Sequence, residues 1–169
     1  MPRSFDLVAE SPDTAPRILR TFRDETYWRA RLAAFGDGRP TLDSLSTGTD
    51  GTTTATMTLR FGVQQLPPPV NRLHRGTLRV VHTESWQVRD DGILHGRVVV
   101  DAPGTPMSGH GELSVTPTAN GSRLAGRGTV DVRLPVIGGM VAGLVAGQLE
   151  TGIRDIHEFT DGWIAQASP

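Results

Sequence analysis

Three dipeptides that favour tight turns divide the middle of the chain into extended segments. These dipeptides are Asp50-Gly51, Asp91-Gly92 and Asn120-Gly121. Their residues tolerate the positive φ that two-residue hairpin turns require. A fourth turn is predicted at residues 102–106, Ala-Pro-Gly-Thr-Pro. Apolar and polar side chains alternate between the turns, as strands with one buried face do. Together with an alternating segment at residues 4–9, the pattern predicts seven antiparallel strands.

The hydrophobic period changes towards the C terminus. Nine apolar residues between Val141 and Ile164 recur at spacings of three and four, which predicts one long amphipathic helix over about residues 137–165. Two short helices are expected after the first strand, before Gly36. An antiparallel sheet with one apolar face needs a cover, and the long helix has the largest apolar stripe. We therefore predict an α+β fold in which a curved seven-stranded sheet carries the C-terminal helix across it.

Composition limits the classes of function. The 169 residues contain no cysteine, which excludes disulfides and cysteine-ligated metals, and their number predicts one domain over residues 1–169. All 17 basic residues are arginine, against 18 acidic ones, so lysine Schiff-base chemistry is excluded. Because no basic block stands out, no nucleic-acid partner is expected. The N terminus lacks an apolar signal segment, which favours the cytoplasm. The longest apolar run, residues 134–149, is shorter than the ~20 residues of a transmembrane helix.

The element order and several short motifs resemble a known superfamily. The motifs are Met1-Pro-Arg-Ser-Phe-Asp6, Asp24-Glu-Thr-Tyr-Trp28, Thr83-Glu-Ser-Trp86, Ala102-Pro-Gly104, Gly121-Ser-Arg-Leu124 and Pro135-Val-Ile-Gly-Gly139. The chain resembles the START-like, birch-pollen-allergen-like superfamily (SRPBCC, polyketide cyclase-like), in particular an actinobacterial branch of unknown function. The resemblance implies a helix-grip fold. It specifies chemistry hardly at all, because the superfamily hosts lipid carriers, hormone receptors, cyclases and chaperone-binding modules.

Two ionisable residues lie on the apolar face of one predicted strand. His82 and Glu84 share their parity with Val80 and Trp86, so both side chains are expected to point between the sheet and the helix. There they could anchor a ligand or transfer a proton. The alternative is a structural hydrogen-bonded pair, or a bulge that shifts the parity.

The favoured hypothesis is a module that binds a small hydrophobic molecule, such as a lipid or a polyketide-like metabolite, between the sheet and the C-terminal helix. His82 and Glu84 form the polar end of this predicted site. Its predicted apolar walls are Met57, Phe61, Val80, Trp86, Met140 and Leu144. The alternatives are a cyclase or dehydratase that uses His82 and Glu84, and a ligand-free interaction module. No catalytic residue, cofactor or metal is assigned, and the oligomeric state is left open.

Four further motifs carry structural expectations. His157-Glu158 begins an incomplete zinc-protease motif, and His157 is expected on a solvated helix face. The glycine pairs at 109/111 and 126/128 should mark bends or close backbone approaches. A stripe at residues 139, 143 and 147 should bring the helix close to the sheet or leave room for a ligand. The segment 64–70, Gln-Gln-Leu-Pro-Pro-Pro-Val, is expected as a loop at the cavity mouth, or as a short polyproline ligand.

Overall fold

The structure is a computed structural model that describes residues 2–35, 39–65, 68, 70–73 and 75–167. Within these described residues, seven strands form one antiparallel sheet in the order β1-β7-β6-β5-β4-β3-β2. The strands are β1 (Arg3–Ser11), β2 (Thr41–Thr47), β3 (Thr53–Phe61), β4 (Leu78–Val88), β5 (Leu94–Asp101), β6 (Met107–Thr118) and β7 (Gly121–Val132). The helices are α1 (Ala15–Phe22), α2 (Glu25–Phe35), α3 (Val70–Leu73) and α4 (Gly138–Ala167), and a short 3-10 helix covers Val63–Gln65. This is the predicted helix-grip architecture.

The predicted turn dipeptides join consecutive strands. Gly51 and Gly92 have φ of 81° and 76°, values that glycine adopts without steric cost. The proline-glycine turn between β5 and β6 also has a positive φ, 81° at Gly104. Consecutive strands from β2 to β7 are therefore hydrogen-bonded neighbours, and β1 closes the far edge against β7.

Helices α1 and α2 place a group of large side chains against the inner face of the sheet. Thr14 accepts a hydrogen bond from the Arg17 backbone N–H and so begins α1, as an N-cap residue does. In α2, Tyr27 and Trp28 are fully buried. The indole N–H of Trp28 donates to the Phe22 carbonyl at 2.7 Å. The two helices therefore form a fixed wall beside the inner sheet face.

Helix α4 packs on one side of the sheet. It contacts β1 and β7 most extensively, and it also contacts α1 and α2. The Arg154 guanidinium donates to the Val8 carbonyl at 2.8 Å. Helix α1 contacts β4, β5 and β6. The cover of the sheet is therefore shared between α4 and the helix pair.

Three of the strand glycines accept side chains from neighbouring strands. A Cβ at Gly96 would lie 2.4 Å from the Trp86 ring, and one at Gly128 would lie 2.4 Å from the Phe5 ring. A Cβ at Gly126 would lie 2.2 Å from the Leu113 side chain. These are the close approaches expected of glycine inside strands.

The glycine stripe of α4 does not make the close contact that we considered. Added Cβ atoms at Gly143 and Gly147 would meet nothing within 4 Å, because both glycines lie on the exposed side of the helix. A Cβ at Gly139 would lie 3.4 Å from the Arg3 guanidinium. The close-packing expectation is therefore wrong for two of the three glycines.

Candidate functional site

A cavity of about 90 Å³ lies between the sheet and α4, and we call it the inner cavity. Its sheet wall includes Val98, Val100 and Gly109, and α4 contributes Leu149 and Ile153. Polar residues of α2, β4 and α4 line it: Arg31, His82 and Glu84, and His157 and Thr160. His110 of β6 and Arg127 and Thr129 of β7 also line it, and the Arg127 side chain is 69% exposed.

A second cavity of about 320 Å³ adjoins it, and we call it the outer cavity. Among the residues that the structure describes, four line both cavities: His82, Val100, Gly109 and Leu149. The remaining wall of the outer cavity is mostly apolar and includes Leu59, Phe61, Leu78, Val80, Ala102, Met107, Val130 and Val145. The polar cluster therefore lies in the inner of two adjoining, largely apolar cavities.

A buried ion pair joins α2 to β4 at this inner end. Arg31 Nη1 donates to Glu84 Oε2 at 3.2 Å, and Arg31 Nη2 donates to Glu84 Oε1. The guanidinium carbon lies 4.6 Å from the centroid of the Trp28 ring, which is within cation–π range. Arg31 was not among the predicted site residues. A signal existed, because Arg31 follows Tyr27 by four residues and Trp28 by three, and so shares their buried helix face.

Two further donors reach the same carboxylate. Trp86 Nε1 donates to Glu84 Oε2 at 3.1 Å, and His82 Nε2 lies 2.9 Å from Oε1. Burial alone would raise the pKa of Glu84, but the charge of Arg31 and the hydrogen bonds from His82 and Arg31 hold it well below its ordinary value. Burial likewise opposes the charge on Arg31, and Glu84 outweighs this and raises the pKa of the guanidinium. Both groups are therefore ionised and paired.

A second hydrogen bond connects α2 to α4. The hydroxyls of Tyr27 and Thr160 lie 2.7 Å apart, and Thr160 Oγ1 donates to the Ile156 carbonyl at 2.8 Å. Because the Thr160 hydroxyl donates its only proton to the Ile156 carbonyl, it accepts from the Tyr27 phenol, whose pKa is raised by burial. This bond fixes the turn of α4 that carries His157.

His157 is buried, with only 9% of its surface exposed. The expectation of a solvated face is wrong, because His157 shares a helix face with Ile153, Thr160 and Ile164, at spacings of four, three and seven residues. Its Nε2 is buried and has no hydrogen-bond partner among the described residues. The helical spacing would have revealed this position, had it been applied to polar as well as apolar residues.

The predicted wall residues separate into three groups. Phe61 and Val80 line the outer cavity, and Trp86 lines the inner one. Met57 is buried in the core and lines neither cavity. Met140 and Leu144 are 54% and 46% exposed, so their placement in the wall was wrong. The face of α4 that turns inward carries Val141 and Val145 instead.

The loop before β4 is described in part. Gln65 lines the outer cavity, whereas residues 66, 67 and 69 of the proline segment lie outside the described residues.

Among the described residues, none of the helices combines the length and the hydropathy that a membrane span needs.

The sequence profile of a family described as "Protein of unknown function (DUF2505)" matches residues 6–164. The chain belongs to the DUF2505 family. A relative in Mycobacterium tuberculosis (strain ATCC 25618 / H37Rv), "Uncharacterized protein Rv0481c", is 35% identical over 171 residues. The match covers 97% of this chain and 98% of the relative. The similarity therefore extends over the whole DUF2505 fold.

Solved structures show the wider fold relationship of this DUF2505 protein. A START superfamily protein from Mycobacterium smegmatis superimposes with a TM-score of 0.51, at 16% identity and over 99% of both chains. The Bet v 1-like protein Ara h 8.0201 superimposes with a TM-score of 0.54, at 12% identity, over 98% of this chain and 99% of its own. At such identities the likeness establishes the START-like fold alone.

Proposed function

We propose that this DUF2505 protein binds a small, largely apolar molecule between its sheet and α4. The observation that carries this proposal is the pair of adjoining cavities, of about 90 and about 320 Å³, with apolar walls and a polar cluster at one end. Ligand sites in proteins have this character: concave, mostly apolar and fitted with a few polar groups that set orientation. The outer volume matches the lower end of the common range, roughly 300–1,000 Å³.

The inner charges favour binding over acid–base catalysis. A general base should have a pKa near the working pH, whereas Arg31 holds the pKa of Glu84 well below its ordinary value. Glu84 Oε2 accepts from Arg31 Nη1 and Trp86 Nε1, and Oε1 accepts from Arg31 Nη2 and His82 Nε2, so every contact of the carboxylate is with a donor. We therefore assign Glu84 a structural role that orients His82, and we do not assign it proton transfer.

A titration with a fluorescent apolar dye tests the proposal. Val100 lines both cavities, so Val100→Phe should fill the space where they meet. Its neighbour Val99 pairs with Thr83 and His110 and lines neither cavity. Val99→Phe is therefore a matched control of equal size change on the opposite sheet face.

The wild type and Val99→Phe should bind the dye at one saturable site, and dodecanol should displace it. Val100→Phe should keep its fold, as far-ultraviolet circular dichroism would show. Its affinity for the dye should fall by about tenfold or more, which corresponds to a loss of roughly 1.4 kcal/mol of binding free energy. Equal dye binding by the two variants would place the site elsewhere and overturn the proposal.

A further inference from the structure

The buried nitrogen of His157 needs a partner that the described chain does not supply. Its Nε2 is shielded from solvent and unpaired within the residues that the structure describes. Buried polar atoms in native proteins are nearly always hydrogen-bonded, and an exception calls for an explanation. Because the side chain lines the inner cavity, a bound molecule could supply the missing partner.

His82 offers a complementary group in the same cavity. Ionised Glu84 can only accept hydrogen bonds, so His82 Nε2, 2.9 Å from Oε1, must carry the proton that it donates. In neutral His82 the other ring nitrogen, Nδ1, is then a hydrogen-bond acceptor. The carboxylate of Glu84 thereby fixes which tautomer His82 presents to a ligand.

The volumes of the two cavities suggest which part of a ligand each would hold. The inner cavity of about 90 Å³ has room for only a few heavy atoms, whereas the outer cavity of about 320 Å³ has space for a chain or ring. His82 lines both cavities, and His157 lines only the inner one. A headgroup placed between the histidines would therefore leave its apolar tail in the outer cavity.

We infer that His82 and His157 form a subsite for a hydroxyl group at the end of an otherwise apolar, neutral ligand. This inference rests on the proposed function. The hydroxyl donates to His82 Nδ1 and accepts from His157 Nε2–H, and a hydroxyl can do both at once. A carboxylate brings only acceptors and a negative charge. The Arg31 guanidinium would not neutralise that charge, because Glu84 already pairs with it. Arg127 also lines the inner cavity, but its side chain is 69% exposed and lies beside Asp6. An ammonium group brings only donors and would have to share Glu84 with Arg31.

Four probes with the same tail test the inference: dodecanol, dodecanoic acid, dodecylamine and dodecane, each measured by displacement of the apolar dye. The wild type should bind dodecanol about tenfold more tightly than dodecane, the worth of one or two net hydrogen bonds. It should also prefer dodecanol to the acid and the amine. Tighter binding of the acid or the amine would overturn the hydroxyl assignment.

Two variants of His157 assign the preference to its ring. His157→Phe removes the nitrogen and should reduce the preference for dodecanol over dodecane to about twofold or less, whereas His157→Gln keeps a polar group and should restore part of it. Without ligand, His157→Phe should melt at the same or a higher temperature, because an unpaired buried polar atom has been removed. His95 lines neither cavity, so the control variant His95→Phe should keep the wild-type preference for dodecanol over dodecane.

The outcomes separate the two proposals. If no probe displaces the dye from the wild type, the proposed function fails. If all four probes bind with equal affinity, or if His157→Phe keeps the full preference for dodecanol, the hydroxyl subsite is wrong and the apolar site remains.

Discussion

The Arg31 guanidinium on α2 and the Glu84 carboxylate on β4 meet through two hydrogen bonds. Each side chain is only 6% exposed. The pair connects residues 53 positions apart in the chain, and so ties the helix pair to the centre of the sheet. It also fixes His82, because Glu84 Oε1 lies 2.9 Å from His82 Nε2. The position of His82 in the inner cavity therefore depends on this ion pair.

Removing one charge of this pair should be costly. Glu84→Gln leaves Arg31 buried without a counter-charge, and the free energy of unfolding should fall by about 3–5 kcal/mol. Arg31→Met should have a similar cost. Chemical denaturation of both single variants and the double variant measures the coupling. The double variant should lose at least about 1 kcal/mol less than the sum of the single losses, and strict additivity would show that the two groups do not interact.

The free energy of unfolding should also depend on pH, because the carboxyl group of Glu84 titrates. The pKa of this carboxyl is lowered in the folded state from a reference value of 4.5. A lowered folded pKa contributes stability that is fully present above the unfolded pKa and is lost as the pH falls towards the folded pKa. Between pH 5 and pH 3, the wild type should therefore lose roughly 2 kcal/mol through this group.

The matched control is the free energy of unfolding of Glu84→Gln, measured at the same two pH values. Its unfolding free energy should fall less than that of the wild type over this interval, because the titrating carboxyl is gone. Equal losses in both proteins would mean that Glu84 is not held ionised by Arg31, and the electrostatic account of the inner cavity would be wrong.

The orientation of α4 gives a third prediction. Val141 is fully buried, whereas the adjacent Met140 is 54% exposed. Val141→Ala should destabilise the protein by about 2 kcal/mol, the sum of lost burial and a residual cavity. Met140→Ala should change stability by less than about 0.5 kcal/mol. Thermal unfolding of both variants decides the matter, and a larger loss for Met140→Ala would mean that the helix is rotated from the position described.

The sequence predicted the architecture because its local signals agree with one another. The turn dipeptides at Asp50, Asp91 and Asn120 set the strand order, and the change of period after Val132 sets α4. The inward direction of His82 and Glu84 followed from strand parity alone. These features depend only on a residue and its near neighbours along the chain.

The site was predicted less completely for two reasons. It depends on the rotation of α4 about its own axis, and it depends on a side-chain contact between α2 and β4, which are distant in the sequence. A helix with apolar residues on most of its circumference does not specify which of them face the sheet. Met140 and Leu144 were therefore placed inside, where Val145 and Leu149 lie. The partner of Glu84 lies in α2, and strand parity carries no information about which helix crosses it.

The proposed function requires that an apolar molecule binds between the sheet and α4. The most direct measurement is a two-dimensional ¹H–¹⁵N NMR titration of the wild-type protein with dodecane, with backbone assignments for the cavity walls and for the exposed face of α4. The account predicts that the largest shifts concentrate at the residues shared by both cavities, Val100, Gly109 and Leu149. Shifts confined to Met140 and Leu144, or no saturable shifts at all, would contradict it.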